Sequence, residues 1–164
     1  MEIFNKKIDN SFLVNSIQKH INKLAVEIGP RPVTNEQSIK KTENYITNYF
    51  ENIGLEVKQQ RYKYDNYDIA NVIAGSQKNL LSSKYYVIGA HYDSVPETYG
   101  ADDNASGIAV LLELARTQFK KKSPYQFALL HLPRRSLQPL VHVIKVVKSL
   151  SNQPKKRKMK FLEQ

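Results

Sequence analysis

GAHYDSVPETYGADDNASGIAVLLELAR, residues 89–116, is the stretch on which the fold turns. The run that leads into it, Tyr85 to Ala90 (YYVIGA), is continuously apolar and of strand length. That is the pattern of a central strand buried on both faces. At its other end Ile108, Leu111, Leu112, Ala115 and Phe119 recur at helical spacing, which predicts a helix from Ile108 to Phe119. Between strand and helix lie the chemically loaded residues. His91 follows directly on the strand, Asp93 comes two residues later, and Asp102-Asp103-Asn104 precedes the helix between Gly100 and Gly107. In an α/β sheet, sites form at strand ends and in the loops beyond them. Residues two apart on an extended backbone point the same way. A carboxylate at position 93 can therefore accept the second N–H of His91, fixing the tautomer and leaving the other nitrogen for a metal. Histidine alone at a strand end is a weak signal, and Asp-Asp-Asn before a helix also reads as an N-cap. The signal lies in their combination.

Working outward, Phe12, Leu13, Ile17, Ile21, Leu24, Ala25 and Ile28 predict an amphipathic helix from Ser11 to Ile28, stopped by Gly29-Pro30-Arg31-Pro32. Ile39, Tyr45, Ile46, Tyr49, Phe50 and Ile53 predict a second helix from Asn35 to Asn52, with Gly54 as its stop. Leu55 to Tyr64 alternates like a half-buried strand, and Ile69 to Ala74 reads as its hairpin partner. Tyr125 to Leu130 starts like another buried strand. Helices interleaved with strands argue for a layered α/β domain. His20 is expected to be a partly exposed helix residue. His131 and His142 are assigned no role.

Composition narrows the chemistry. The chain has no cysteine, so any metal must be held by His, Asp and Glu, a donor set that suits zinc. The net charge is +10, but it is uneven: residues 131–164 carry nine Lys/Arg and one acid. The basic balance thus describes the tail, and Lys155-Lys156-Arg157-Lys158 reads as a solvated end before it reads as a nucleic-acid patch. No signal-type segment and no run of about 18 apolar residues occurs, so the expectation is a cytoplasmic chain with no membrane or nucleic-acid partner.

GAHYDS, then GADDNASG, then LLELAR resembles the metal-binding core of the M28 peptidases, the zinc aminopeptidases and their glutaminyl-cyclase relatives. Leu24 to Pro32 (LAVEIGPRP), Tyr45 to Val57 (YITNYFENIGLEV) and Asn71-Val72-Ile73-Ala74 extend the likeness over about residues 10 to 130. The resemblance implies a three-layer α/β/α sandwich with a mixed central sheet. It implies that His91 ligates one zinc, that Asp103 bridges two zincs, and that Asp93 orients His91 from behind. It implies an aminopeptidase acting on peptides with a free N-terminus. The alternatives are a glutaminyl-peptide cyclase, or a non-catalytic remnant of the fold that binds through its basic tail.

The likeness breaks after Leu130. The family places a Glu-Glu pair there, one acting as general base and the other as ligand. This sequence has Pro133-Arg134-Arg135-Ser136 instead. The general-base Glu is thus missing, and the chain as written is expected to be inactive. The organisation read from the sequence is therefore an M28-like part, residues 1–130, and a basic tail, residues 131–164, that is out of frame or disordered. A shift of reading frame near Phe127 to Leu130 offers a cause. Codons able to encode Pro133 to Leu140 can spell Glu-Glu-Glu-Pro-Pro-Thr-Phe when read from one base earlier. The same shift lets Val143 to Lys148 become His-Gln-Gly-Ser-Lys.

Overall fold

The computed structural model describes residues 11–76, 86–119 and 125–130. Helix α1 (Ser11–Ile21) runs into wider π-type turns, Asn22–Ile28, which end at Gly29, where φ is +84°. Helix α2 (Glu36–Asn52) is capped by the Asn35 side chain, which accepts from the Ser38 N–H at 3.1 Å, satisfying one of the amides a helix start leaves unpaired. Strands β1 (Glu56–Tyr64) and β2 (Tyr67–Gly75) form the expected antiparallel hairpin, with Tyr64 opposite Tyr67. Strand β3 (Tyr86–His91), helix α3 (Gly107–Phe119) and strand β4 (Tyr125–Leu130) complete the described elements.

The strand order is β1-β2-β4-β3, antiparallel except for the parallel pair β3 and β4. This is the mixed sheet of an α/β fold. Among the described residues the helices contact one another as well as the sheet, so they form one layer over it. The core of this layer is Leu24, Ile39, Ile46, Phe50, Val72, Ile108 and Leu112, each fully or almost fully buried. Burying side chains of this size stabilises by about 1.5–3 kcal/mol each before conformational entropy is set against it.

Two expectations are corrected. First, β3 lies at an edge of the described sheet, not at its centre. Ile88 and Ala90 are half-buried and Gly89 is exposed. An apolar run records that side chains can be buried. It does not record which neighbours do so, and here α3 covers β3 while β4 pairs with only one of its edges. The central place next to β3 belongs to β4. Second, the first turn of α1 is not inward. Phe12 is 66% exposed and Leu13 is exposed, because the buried contacts of the helix begin further along, at His20 and Leu24. Phe12 instead lies under the Arg116 guanidinium, 5.0 Å from its ring centre, a cation–π contact.

No helix among the described residues is long and apolar enough to cross a membrane. The basic tail, with His131, His142 and the cationic run at 155–158, lies outside the described residues, as do Tyr85 and the Phe119 side chain.

Candidate metal centre

His91 is the last residue of β3. Its Nε2 lies 3.0 Å from Asp103 Oδ1. Its Nδ1 lies 3.4 Å from Asp93 Oδ1 and 3.3 Å from the Asp93 carbonyl oxygen. The structure therefore brings all three residues together, and the ring stands between the two carboxylates. The Asp93 side chain is largely buried, whereas that of Asp103 is 57% exposed. Hydrogen bonding to Asp93 raises the His91 pKa above its ordinary value; burial works against this, and the charges of Asp93 and Asp103 reinforce it.

The local backbone explains how Asp103 reaches this position. Ala101–Ser106 winds in wide turns that are interrupted at Asp103 (φ −113°, ψ 86°) and Asn104 (φ −141°, ψ 40°), which are joined by a cis peptide bond. Asn104, not an aspartate, caps α3: its Oδ1 accepts from the Gly107 N–H at 3.1 Å. Its Nδ2 donates to the His91 carbonyl at 3.2 Å. One side chain thus starts the helix and ties it to the strand end, and Asp103 is left facing the imidazole. Asp102 is exposed.

Three buried polar residues escaped the sequence reading. Arg31 was seen only as part of a helix stop. It is fully buried, and its side chain donates to five backbone carbonyls: Tyr92, Leu24, Gly29, Tyr99 and Gly100, at 2.6 to 3.1 Å. Burial lowers the Arg31 pKa, and the Asp93 charge opposes that. Glu43 is also fully buried. It accepts from the Tyr92 hydroxyl and the Ala70 N–H, both at 3.1 Å, and pairs with Arg61 at 3.3 Å. Glu113, inside the LLELAR helix, is buried beneath Ser16, His20, Tyr49 and Arg116. Burial pushes Glu113 up, but these hydrogen bonds outweigh it and hold its carboxyl down at about 2. His20 is 4% exposed, not partly exposed as expected, because it sits between Tyr45 and Glu113. The one signal available for all of these was a charged residue inside an apolar stripe or a rigid Pro-flanked turn.

The donor chemistry can be set against zinc. Tetrahedral zinc with nitrogen and oxygen ligands at about 2.0–2.2 Å holds its donors about 3.3 Å apart. The His91–Asp103 separation of 3.0 Å is close to such an edge, and Asp93 occupies the nitrogen that would not bind. Two donors fit. Among the described residues no group of three or more His, Asp or Glu side chains is placed to hold one metal ion, so they do not complete a three-ligand site.

Beside His91, the surface between β3 and α3 opens into a depression of about 550 Å³ lined by Ile88, Ala90, His91, Val110 and Leu114 among others.

Comparison with known proteins gives this geometry its relatives. The family model of peptidase family M28 matches residues 69–130. YfbL of Escherichia coli is 33% identical over 108 residues, 61% of this chain and 33% of YfbL. The aminopeptidase YwaD of Bacillus subtilis is 51% identical over 39 residues, 24% of this chain and 9% of YwaD. The LapA aminopeptidase of Legionella pneumophila superposes with a TM-score of 0.67 at 22% identity, over 87% of this chain and 42% of LapA. The glutaminyl cyclase of Tannerella forsythia gives a TM-score of 0.58 at 23% identity, over 71% of this chain and 45% of the cyclase. At these identities the structures speak for the fold. The chain spans about a third of YfbL and less than half of these two solved relatives. The segment that matches peptidase family M28, residues 69–130, contains His91, Asp93 and Asp103, so the likeness to that family runs through the site itself.

Proposed function

We propose that this chain carries the first ligand pair of a zinc aminopeptidase site, with His91 and Asp103 as metal donors and Asp93 as the residue that orients His91. The observation that carries this reading is the single imidazole held between two carboxylates, at 3.0 Å and 3.4 Å. Nδ1 sits against the Asp93 carbonyl oxygen at 3.3 Å and its carboxylate at 3.4 Å, so Nε2 is the nitrogen left facing Asp103. The Asn104 side chain, bonded to the His91 carbonyl and the Gly107 N–H, ties the segment that carries the Asp103 carboxylate to the strand end. Zinc, when bound in such a site, activates water and polarises a carbonyl. Asp103 would hold such a metal together with His91, and the substrate would be a peptide with a free N-terminus. The general base and the remaining ligands are not among the described residues, and Arg134 and Arg135 stand where the resemblance calls for two glutamates.

The competing plain reading is an ion pair between His91 and Asp103 with no metal role. Zinc titration against a chromogenic chelator separates the two. On the metal reading, wild-type protein competes for zinc, and Asp103→Asn or His91→Ala weakens that competition at least tenfold. Equal competition by all three proteins would leave only the ion pair. The chain as written is expected to release no N-terminal residue from peptides, and chelator-sensitive turnover by it would overturn the account of the missing base. The likeness to glutaminyl cyclases favours a second substrate class, peptides with N-terminal glutamine. Cyclisation of such a peptide by a gene product with the Glu-Glu pair restored, without hydrolysis of other peptides, would select that reading.

A further inference from the structure

We propose that Arg31 is a positioning residue for the His91–Asp103 pair, setting the separation of the two metal donors through the backbone that carries each of them. This deepens the proposed zinc site and rests on that reading.

The guanidinium Nε donates to the carbonyl of Tyr92, between His91 and Asp93, at 3.1 Å. Nη1 donates to the carbonyl of Tyr99 at 3.0 Å and Nη2 to that of Gly100 at 2.9 Å, at the start of the segment that carries Asp103. Nη1 also reaches the carbonyls of Leu24 and Gly29 at 2.6 and 2.9 Å, anchoring the group to the end of the first helical stretch. The backbone of Arg31 adds a reciprocal pair with Ser94: its N–H donates to Ser94 Oγ at 3.0 Å, and its carbonyl accepts from the Ser94 N–H at 3.0 Å. One planar cation therefore links the loop bearing His91 and Asp93 to the loop bearing Asp103.

The surroundings allow no slack. Gly100 has φ +57°, and a Cβ built there would lie 2.5 Å from Ser94 Cβ and 2.8 Å from Arg31 Nη2. The three pieces are packed to contact, so displacement of the guanidinium moves both loops. A lysine would keep the charge, but its compact ammonium cannot span carbonyls on opposite sides as the planar fork does. Supporting residues of this kind typically change metal affinity by about 10–100-fold when they are altered.

The test uses the full chain and two readouts. Zinc affinity, measured by chelator competition, is compared for wild type, Arg31→Lys, Arg31→Met and a control, Glu113→Gln. The control breaks a buried polar cluster that makes no contact with His91, so it reports what loss of stability alone does to zinc binding. Amide hydrogen exchange is followed at Ser94 and Ala105, whose N–H groups donate to Arg31 and Gly100 carbonyls at 3.0 Å, with Ile46 in α2 as reference. The expected result is a zinc dissociation constant raised at least tenfold in both Arg31 variants and within twofold of wild type in Glu113→Gln. Protection at Ser94 and Ala105 should fall while Ile46 keeps its own. If Arg31→Met does not fold, Arg31→Lys decides. Unchanged zinc affinity together with unchanged protection at Ser94 and Ala105 would overturn the proposal. So would an equal zinc loss in Glu113→Gln. If His91→Ala leaves wild-type zinc binding intact, the zinc reading itself has failed. Exchange at Ser94 and Ala105 then judges the role of Arg31 in holding the loops.

Discussion

Gly100 is the residue at which sequence and site meet most tightly. Its φ of +57° is one that L side chains rarely adopt, and the space beside it is filled by Ser94, Arg31 and the Asp103 carbonyl. Gly100→Ala is therefore expected to destabilise the fold by about 1–3 kcal/mol through backbone strain alone, read by denaturant unfolding, and to weaken zinc binding with it. A substitution without cost would mean that this turn is not held as described. His91, Asp93 and Asp103 were legible in the sequence because a strand-length apolar run ends in an imidazole and the acids are flanked by glycines. Arg31 was not, because nothing in a Pro-Arg-Pro turn tells a solvated arginine from one whose guanidinium is wrapped in carbonyls.

At the scale of elements, α1, α2 and α3 meet around Glu113. Ser16 and His20 come from α1, Tyr49 from α2 and Arg116 from α3 itself, with the Tyr49 hydroxyl donating at 2.8 Å and Arg116 paired at 2.7 Å. Burial and these partners act oppositely on Glu113 and leave its carboxyl at about 2, below its unfolded value of 4.5. A carboxyl lowered in the folded state contributes stability that is present above pH 4.5 and is lost as pH falls toward 2. His20 adds to this. Burial first, then the charge of Arg116, lowers its pKa against the pull of Glu113, so its contribution is present above pH 6.5 and is lost on acidification below it. Unfolding free energy should therefore decline from pH 6.5 downward. Glu113→Gln should lower stability near neutrality by about 3 kcal/mol and flatten the limb between pH 4.5 and 2. An unchanged acid limb in that variant would show that the cluster does not link the helices. Packing on the other side of α2 is ordinary core: Phe50→Ala should cost about 3–5 kcal/mol, and a loss below 1 kcal/mol in thermal or denaturant unfolding would place Phe50 outside the core. The helices and the hairpin could be read from periodicity, since Ile39, Ile46 and Phe50 recur at helical spacing and the β1–β2 pairing follows from two strand-length runs, Leu55 to Tyr64 and Ile69 to Ala74, separated by four residues. The edge position of β3 could not, because an apolar run states how much can be buried and not by what.

At the scale of the molecule, the described residues carry a sheet, its helical cover and the two residues proposed as zinc donors, while most of the excess positive charge sits in residues 131–164. The reading of that tail as out of frame makes a plain prediction about the gene. The codons for residues 133–140, regrouped from one base earlier, should spell Glu-Glu-Glu-Pro-Pro, and codons unable to do so would contradict it. The alternative in which the tail binds nucleic acid predicts salt-sensitive retention on heparin that is lost on deleting residues 131–164. The whole account stands on an imidazole at position 91 and a carboxylate at position 103 sharing one metal. Zinc-edge X-ray absorption on the zinc-loaded chain tests that directly. The spectrum should show an imidazole nitrogen and carboxylate oxygens at about 2.0–2.2 Å, with the imidazole signature absent in His91→Ala. A wild-type spectrum without imidazole, or one that His91→Ala leaves unchanged, would contradict it.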